Sequence, residues 1–210
     1  MELKITKELR LNEIPSGSGI TKYKGNYLVI GDDSPFLFTL DKDFNIIESI
    51  QLIEKFNISE KFSKPEKPDF ETLELINDDE LVIFGSGSKS PQRDILIRIL
   101  LTNPLSIEKY DLTEFYQNIK NTPLMQDSEL NIEATAYHNN QIFLFNRIKN
   151  IIFQFDYKNF LSYLKGETIF PAPLTYSFTL PKINNIEAGF SGATVLKSES
   201  KIIFTANCYI

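Results

Sequence analysis

Four stretches of this chain can be laid over one another, and that repetition constrains its fold more than any other feature. Ser18-Gly19-Ile20-Thr21-Lys22-Tyr23 leads through Lys24-Gly25-Asn26 into Tyr27-Leu28-Val29-Ile30. Glu71-Thr72-Leu73-Glu74-Leu75-Ile76 leads through Asn77-Asp78-Asp79-Glu80 into Leu81-Val82-Ile83-Phe84. Glu133-Ala134-Thr135-Ala136-Tyr137 and Ser191-Gly192-Ala193-Thr194-Val195-Leu196 lead through polar turns into Ile142-Phe143-Leu144-Phe145 and Ile202-Ile203-Phe204. Each is a short strand, a polar turn and an apolar run, the pattern of a hairpin whose second strand is buried on both faces.

The second half of the unit repeats as well. Pro35-Phe36-Leu37-Phe38-Thr39-Leu40-Asp41 resembles Ile151-Ile152-Phe153-Gln154-Phe155-Asp156, and Ile95-Leu96-Ile97-Arg98-Ile99-Leu100 holds the same place in the second unit. Ile46 to Leu52 reads as a fourth, outer strand. Four strands recurring at intervals of roughly 50–60 residues, loops included, is the period of a β-propeller. A β-sandwich is the competitor, but it leaves the matched turns and apolar runs to accident. The expected fold is all-β: a propeller with four-stranded antiparallel blades, in one domain over residues 1–210. Its units cover about 18–55, 69–112, 131–180 and 190–210.

The composition agrees. Seventeen Phe and nine Tyr without a Trp suit half-buried pleated surfaces, and 42% hydrophobic residues exclude a disordered chain. A net charge of −6 lacks the basic stripe that a nucleic-acid partner requires. The N-terminal residues alternate charged and apolar side chains, which excludes a signal peptide or a membrane span there. With a single cysteine, Cys208, no internal disulfide ties the fold to an oxidising compartment, so the cytoplasm is the default location.

Two short helices are expected to interrupt the sheets, one over Asp111–Tyr116 with Asp111 as its N-cap and one over Asn159–Leu164 ending at Gly166. Lys61 to Pro68 reads as a loop between the first two blades. The fourth unit supplies only two strands. Leu3 to Leu11 can add one outer strand, which leaves an incomplete ring, about four units of a larger one, with an open sheet edge for self-association or a partner's strand.

Several motifs resemble those of an uncharacterised family of bacterial β-propeller proteins, itself distantly similar to esterase-like phytases and gluconolactonase-type propellers. They are Ser18-Gly19-Ile20, Lys67-Pro68-Asp69-Phe70-Glu71-Thr72-Leu73, Gly85-Ser86-Gly87-Ser88-Lys89 with Arg93, Asp111-Leu112, Leu130-Asn131-Ile132-Glu133, Asn146-Arg147 with Asn150, and Gly189-Phe190-Ser191. They run in the family's order through nearly the whole chain. This chain departs from the pattern in carrying Gly192 where the family offers an aspartate. It also stops before the pattern does.

Glu71 and Glu133 hold equivalent positions at the entry to the first strands of their blades, which line a propeller's channel. Converging there with Asn146, they form the candidate metal site. Rings of hard oxygens suit Ca²⁺, and the resemblance to gluconolactonase-type propellers implies a metal at the same place. The competing reading pairs the glutamates with Arg147, Lys67 or Arg93 as blade-entry salt bridges. Gly85 to Ser90, with Lys89 and Arg93, could hold a phosphate or carboxylate, and Arg147 could add a third cation. Yet the segment lacks P-loop spacing, and a tight, mobile turn between the second and third strands is the preferred reading. The lone His138 lies in a polar turn and is read as solvated, which argues against a histidine dyad. Two functions follow: a propeller that binds a small anionic ligand or a protein partner, or a calcium-dependent phosphoesterase or lactonase-like hydrolase.

Overall fold

The computed structural model describes Lys4, residues 8–54 and residues 66–208. The chain folds into antiparallel meanders. The first blade is β1 (Gly17–Tyr23), β2 (Asn26–Gly31), β3 (Phe36–Leu40) and β4 (Ile46–Gln51), hydrogen-bonded in that order. The second is β5 (Phe70–Asn77), β6 (Glu80–Gly85), β7 (Ile95–Leu100) and β8 (Ser106–Asp111). Helix α1 (Thr113–Lys120) leads to the third blade, β9 (Ile132–His138), β10 (Gln141–Asn146), β11 (Ile151–Asp156) and β12 (Leu174–Ser177), with helix α2 (Tyr157–Leu164) between its last two strands. A small hairpin, β13 (Lys182–Ile183) and β14 (Ile186–Glu187), precedes a two-stranded fourth blade, β15 (Gly189–Leu196) and β16 (Lys201–Asn207).

The sheets remain separate, and their innermost strands adjoin in the order β1, β5, β9, β15 around one cavity. The described residues thus form a β-propeller arc of three four-stranded blades and one two-stranded sheet. Apolar residues alternate to both faces of each central strand and pack between blades. Leu28, Ile30 and Leu37 meet Leu81, Ile83, Ile97 and Ile99 between the first two. Phe84, Phe153, Phe155 and Phe160 join Phe115 and Tyr116 of α1 between the second and third.

Both helices start at different residues from those expected. Asp111 ends β8, and its Oδ1 accepts the Thr113 N–H at 2.7 Å, so α1 begins two residues later. Helix α2 begins at Tyr157 because Asp156, closing β11, caps it by accepting from the Asn159 N–H at 3.0 Å. Of the strand expected over Leu3–Leu11, Lys4 and Glu8 to Leu11 are described and form no strand; the rest lies outside the described residues. The expected loop over Lys61–Pro68 is described only from Glu66, where it is irregular. Among the described residues no helix is long and apolar enough to cross a membrane.

Candidate functional site

All four inner strands carry a β-bulge at the same position. The pairing skips Ser18 between Gly17 and Gly19, Glu71 between Phe70 and Thr72, Glu133 between Ile132 and Ala134, and Ser191 between Phe190 and Gly192. A bulge re-aims the side chain of the extra residue. All four bulged residues line the central cavity, whose volume is about 210 Å³. Two carboxyl groups and two hydroxyls therefore form one ring.

A second set of equivalent positions builds the cavity's mouth. In the first three blades the residue after the second strand donates its N–H to the carbonyl two residues before the bulge: Asp32 to Ser16 (3.0 Å), Ser86 to Asp69 (3.0 Å) and Arg147 to Asn131 (2.9 Å). The mouth is a cavity of about 380 Å³ that includes Asp32, Lys67, Asp69, Glu71, Arg93 and Glu133. Asp69, held at φ 52°, is its hub. Its Oδ1 meets Lys67 Nζ at 2.7 Å, and its Oδ2 accepts from Arg93 Nη1 and Ser86 Oγ, each at 2.6 Å. Lys67 also contacts Asp32 Oδ2 at 2.7 Å and Asp33 at 3.4 Å. Burial opposes the Lys67 charge, but Asp32 and Asp69 outweigh it and raise its pKa.

The glutamates are less well matched. Among the described residues Glu71 has no hydrogen-bond or ion-pair partner. Burial first, then the charges of Glu133, Asp69 and Asp32, push its pKa up to about 9. Glu133 is raised too, chiefly by burial, although Asn131 Nδ2 donates to it at 2.7 Å and Arg147 lies 3.8 Å away. Oxygens of Asp32, Asp69 and Glu71 all lie within 4.8 Å of one another, and Asp32 Oδ1 is covered yet has no hydrogen-bond partner among the described residues. Two oxygens bound to one Ca²⁺ are at most roughly 5 Å apart, given coordination distances of about 2.3–2.6 Å. The donor set fits such an ion by type and spread, with Lys67 already seated beside two of its members.

The expected residues thus separate. Glu71 and Glu133 converge, as the repeat indicates. Asn146 is fully buried and lines neither cavity; its Oδ1 accepts from the Asn131 N–H at 2.6 Å and its Nδ2 donates to the Ile148 carbonyl, so it positions Asn131. Arg93 lines the mouth but is held by Asp69 and by Ser88 Oγ at 2.6 Å. Arg147 donates to the Phe190 carbonyl and to Asn207 Oδ1 at 2.6 Å, joining the third blade to the fourth. Lys89 is exposed and lines neither cavity.

One further reading changes. Beside it, the Gly85 to Ser90 segment is tied at its start, where Tyr116 Oη donates to the Gly85 carbonyl at 2.7 Å and the Gly87 N–H to the Arg93 carbonyl at 3.0 Å. His138 ends β9, half-buried, with Nε2 covered and unpartnered, so it is not the solvated side chain expected of a turn. The hydroxyl pair Thr72–Thr135, which ties β5 to β9 beside the glutamates, has no signature that sequence reading detects.

The fold has solved relatives at low identity. A protein of unknown function from Bacteroides thetaiotaomicron is 11% identical, with a TM-score of 0.52 over 92% of this chain and 39% of its own. The glutaminyl cyclase of Myxococcus xanthus is 9% identical, with a TM-score of 0.50 over 93% of this chain and 87% of its own. Virginiamycin B lyase from Staphylococcus aureus is 16% identical, with a TM-score of 0.45 over 91% of this chain; the chain spans about half (49%) of the lyase's length. No curated protein matches the chain in sequence. Residues 13–208 match the model of a family of unknown function (DUF6929), and the chain belongs to that family.

Proposed function

We propose that the chain is a small-ligand-binding propeller and that its mouth takes a ligand bearing positive charge, a divalent cation or an ammonium group. One observation carries this reading: Glu71, a carboxyl on a bulge aimed into the mouth, and the nearby Asp32 Oδ1 both lack a partner among the described residues. An incoming cation would offset the burial and, after it, the neighbouring carboxylate charges that together raise the Glu71 pKa. The cations that an anionic ligand would need, Arg93 and Arg147, are spent on protein partners, and Lys89 lies elsewhere. This moves the preference from an anionic ligand to a cationic one. A cytoplasmic, bacterial setting stays part of the proposal, resting on the lone cysteine and the family resemblance.

Thermal unfolding with calcium chloride, magnesium chloride or a small diamine tests it. Any cation that binds the folded state alone raises Tm by linkage. Stabilisation by at least one of them, lost in Glu71→Gln, is the expected result. An unchanged Tm in millimolar concentrations of all three overturns the reading.

A second reading, a calcium-dependent phosphoesterase or lactonase-like hydrolase, is favoured by the Asp32, Asp69 and Glu71 oxygens within reach of one ion. A bound Ca²⁺ would supply Lewis-acid polarisation of a substrate oxygen. Asp32, Asp69 and Glu71 would hold it, Lys67 and Arg93 would fix Asp69, and Glu133 would take or return a proton. Calcium-dependent turnover of p-nitrophenyl phosphate or a γ-lactone, abolished in Glu133→Gln, would establish it over simple binding.

A further inference from the structure

Most carboxyl oxygens at the mouth already have partners. Lys67 Nζ takes Asp32 Oδ2 and Asp69 Oδ1, each at 2.7 Å. Arg93 and Ser86 take Asp69 Oδ2. Asn131 Nδ2 donates to Glu133 Oε1, and Arg147 faces Glu133 Oε2 at 3.8 Å. Of these four carboxyls, that leaves Asp32 Oδ1 and the two Glu71 oxygens without a partner among the described residues.

So few acceptors suit some cations better than others. Ca²⁺ surrounds itself with about six to eight oxygens, and Mg²⁺ demands a near-ideal octahedron of them. A primary ammonium has three N–H donors and needs only as many acceptors. Lys67 shows the fit within this mouth, since its own ammonium reaches Asp32, Asp69 and, at 3.4 Å, Asp33.

Ile148 is a second and independent pointer. It follows Arg147 in the turn between β10 and β11, and it is the one apolar side chain among the described residues lining the mouth. It is 38% exposed. A bare metal ion gains nothing from such a side chain. A hydrocarbon chain laid over it removes apolar surface from water on both sides of the contact. The cavity, about 380 Å³, has room for that chain.

We propose that the ligand of this mouth is a primary alkylamine in its ammonium form, held by Glu71 with Asp32 and laid along Ile148. Lys67 then acts as the selectivity residue: it holds the oxygens that a divalent metal would need. The inference rests on the cationic reading of the site and narrows it to one class of cation.

Isothermal titration calorimetry on the full chain at neutral pH compares the chlorides of n-butylammonium, tetramethylammonium and calcium. Butylammonium should bind about tenfold tighter than calcium, or better. Tetramethylammonium carries the same charge without an N–H donor and should bind no better than calcium. Glu71→Gln should remove butylammonium binding. Ile148→Ser, a change at an exposed position, should weaken butylammonium several-fold and leave methylammonium unchanged. Lys67→Met should reverse the order and put calcium first; the wild-type ranking decides the matter even if that variant does not fold. Calcium as tight as butylammonium, or tetramethylammonium matching it, overturns the inference and leaves the cationic reading standing. Ile148→Ser weakening both amines alike also overturns it. Failure of every cation to bind overturns both.

Discussion

The Thr72 and Thr135 hydroxyls hydrogen-bond to each other at 2.6 Å, inside the protein, across the boundary between the second and third blades. Thr72 directly follows the bulged Glu71, and Thr135 lies two residues beyond the bulged Glu133. The pair therefore fixes the spacing of the strands that present the two carboxyl groups.

Thr72→Val strands the buried Thr135 hydroxyl and should cost about 1–3 kcal/mol, the range for a buried polar group that loses its partner. Replacing both threonines by valine removes the orphan, so the double variant should be less destabilised than the two single changes summed. Urea unfolding of the four proteins measures this. Strict additivity would show that the hydroxyls are not coupled.

Glu71 makes stability depend on pH in a defined direction. Its pKa rises from 4.5 to about 9 on folding, so the folded chain holds the proton more tightly than the unfolded one. The stability it contributes is full below about pH 4.5 and is lost as pH climbs towards 9. Glu74, raised to about 8 by burial, works in the same direction over a slightly lower window. Glu71→Gln should raise Tm at pH 8.5, by several degrees for roughly 2 kcal/mol in a chain of this size. At pH 4.5 it should leave Tm nearly unchanged. A gain of equal size at both values would exclude an ionisation origin.

The blades were legible because a central propeller strand is buried on both faces, so its apolar run survives in sequence whatever its neighbours do. Leu81-Val82-Ile83-Phe84 and Ile142-Phe143-Leu144-Phe145 mark β6 and β10 directly. The glutamate pair was legible for the same reason, since the repeat sets Ser18, Glu71, Glu133 and Ser191 in one column. Bulges were not legible: the extra residue changes pairing, not composition, and only the register shows Glu71 and Glu133 turned inward together. Charge partners were harder still. Asp69 is near Arg93 in space through a folded-back loop, and Lys67 reaches Asp32 in the preceding blade, so pairing Lys67 with the glutamates was equally consistent with spacing. The Asn146 assignment failed to foresee that a buried amide would be claimed by the adjacent backbone.

Arg98 anchors a second polar cluster, away from the mouth. It donates to Glu80 Oε1 at 2.6 Å and Glu108 Oε2 at 2.8 Å, and Tyr157 Oη also donates to Glu80. The cluster ties three strands of the second blade to α2 of the third. Arg98→Met leaves the buried Glu80 with only neutral partners and should cost about 3 kcal/mol. Tyr157→Phe should cost about 1 kcal/mol, since Arg98 still holds the carboxylate. Chemical denaturation that ranks the two changes in the opposite order would refute this account.

Lys67 decides how strongly the mouth takes a cation, because its ammonium already stands 2.7 Å from both Asp32 Oδ2 and Asp69 Oδ1. It therefore competes with any ion sharing those carboxylates. Lys67→Met removes the competitor without adding a hydrogen-bonding group. In cation-free buffer Asp32 loses its ammonium partner, while Asp69 keeps Arg93. The variant should then lie about 3–5 kcal/mol below the wild type, as expected when one member of a buried ion pair is removed. Added Ca²⁺ should return much of that loss, and the rise in Tm should exceed the wild-type rise at every concentration. Titrating both proteins with calcium chloride while following Tm gives the comparison. A smaller response in the variant would mean that Lys67 helps to organise the site and does not stand in for its cation.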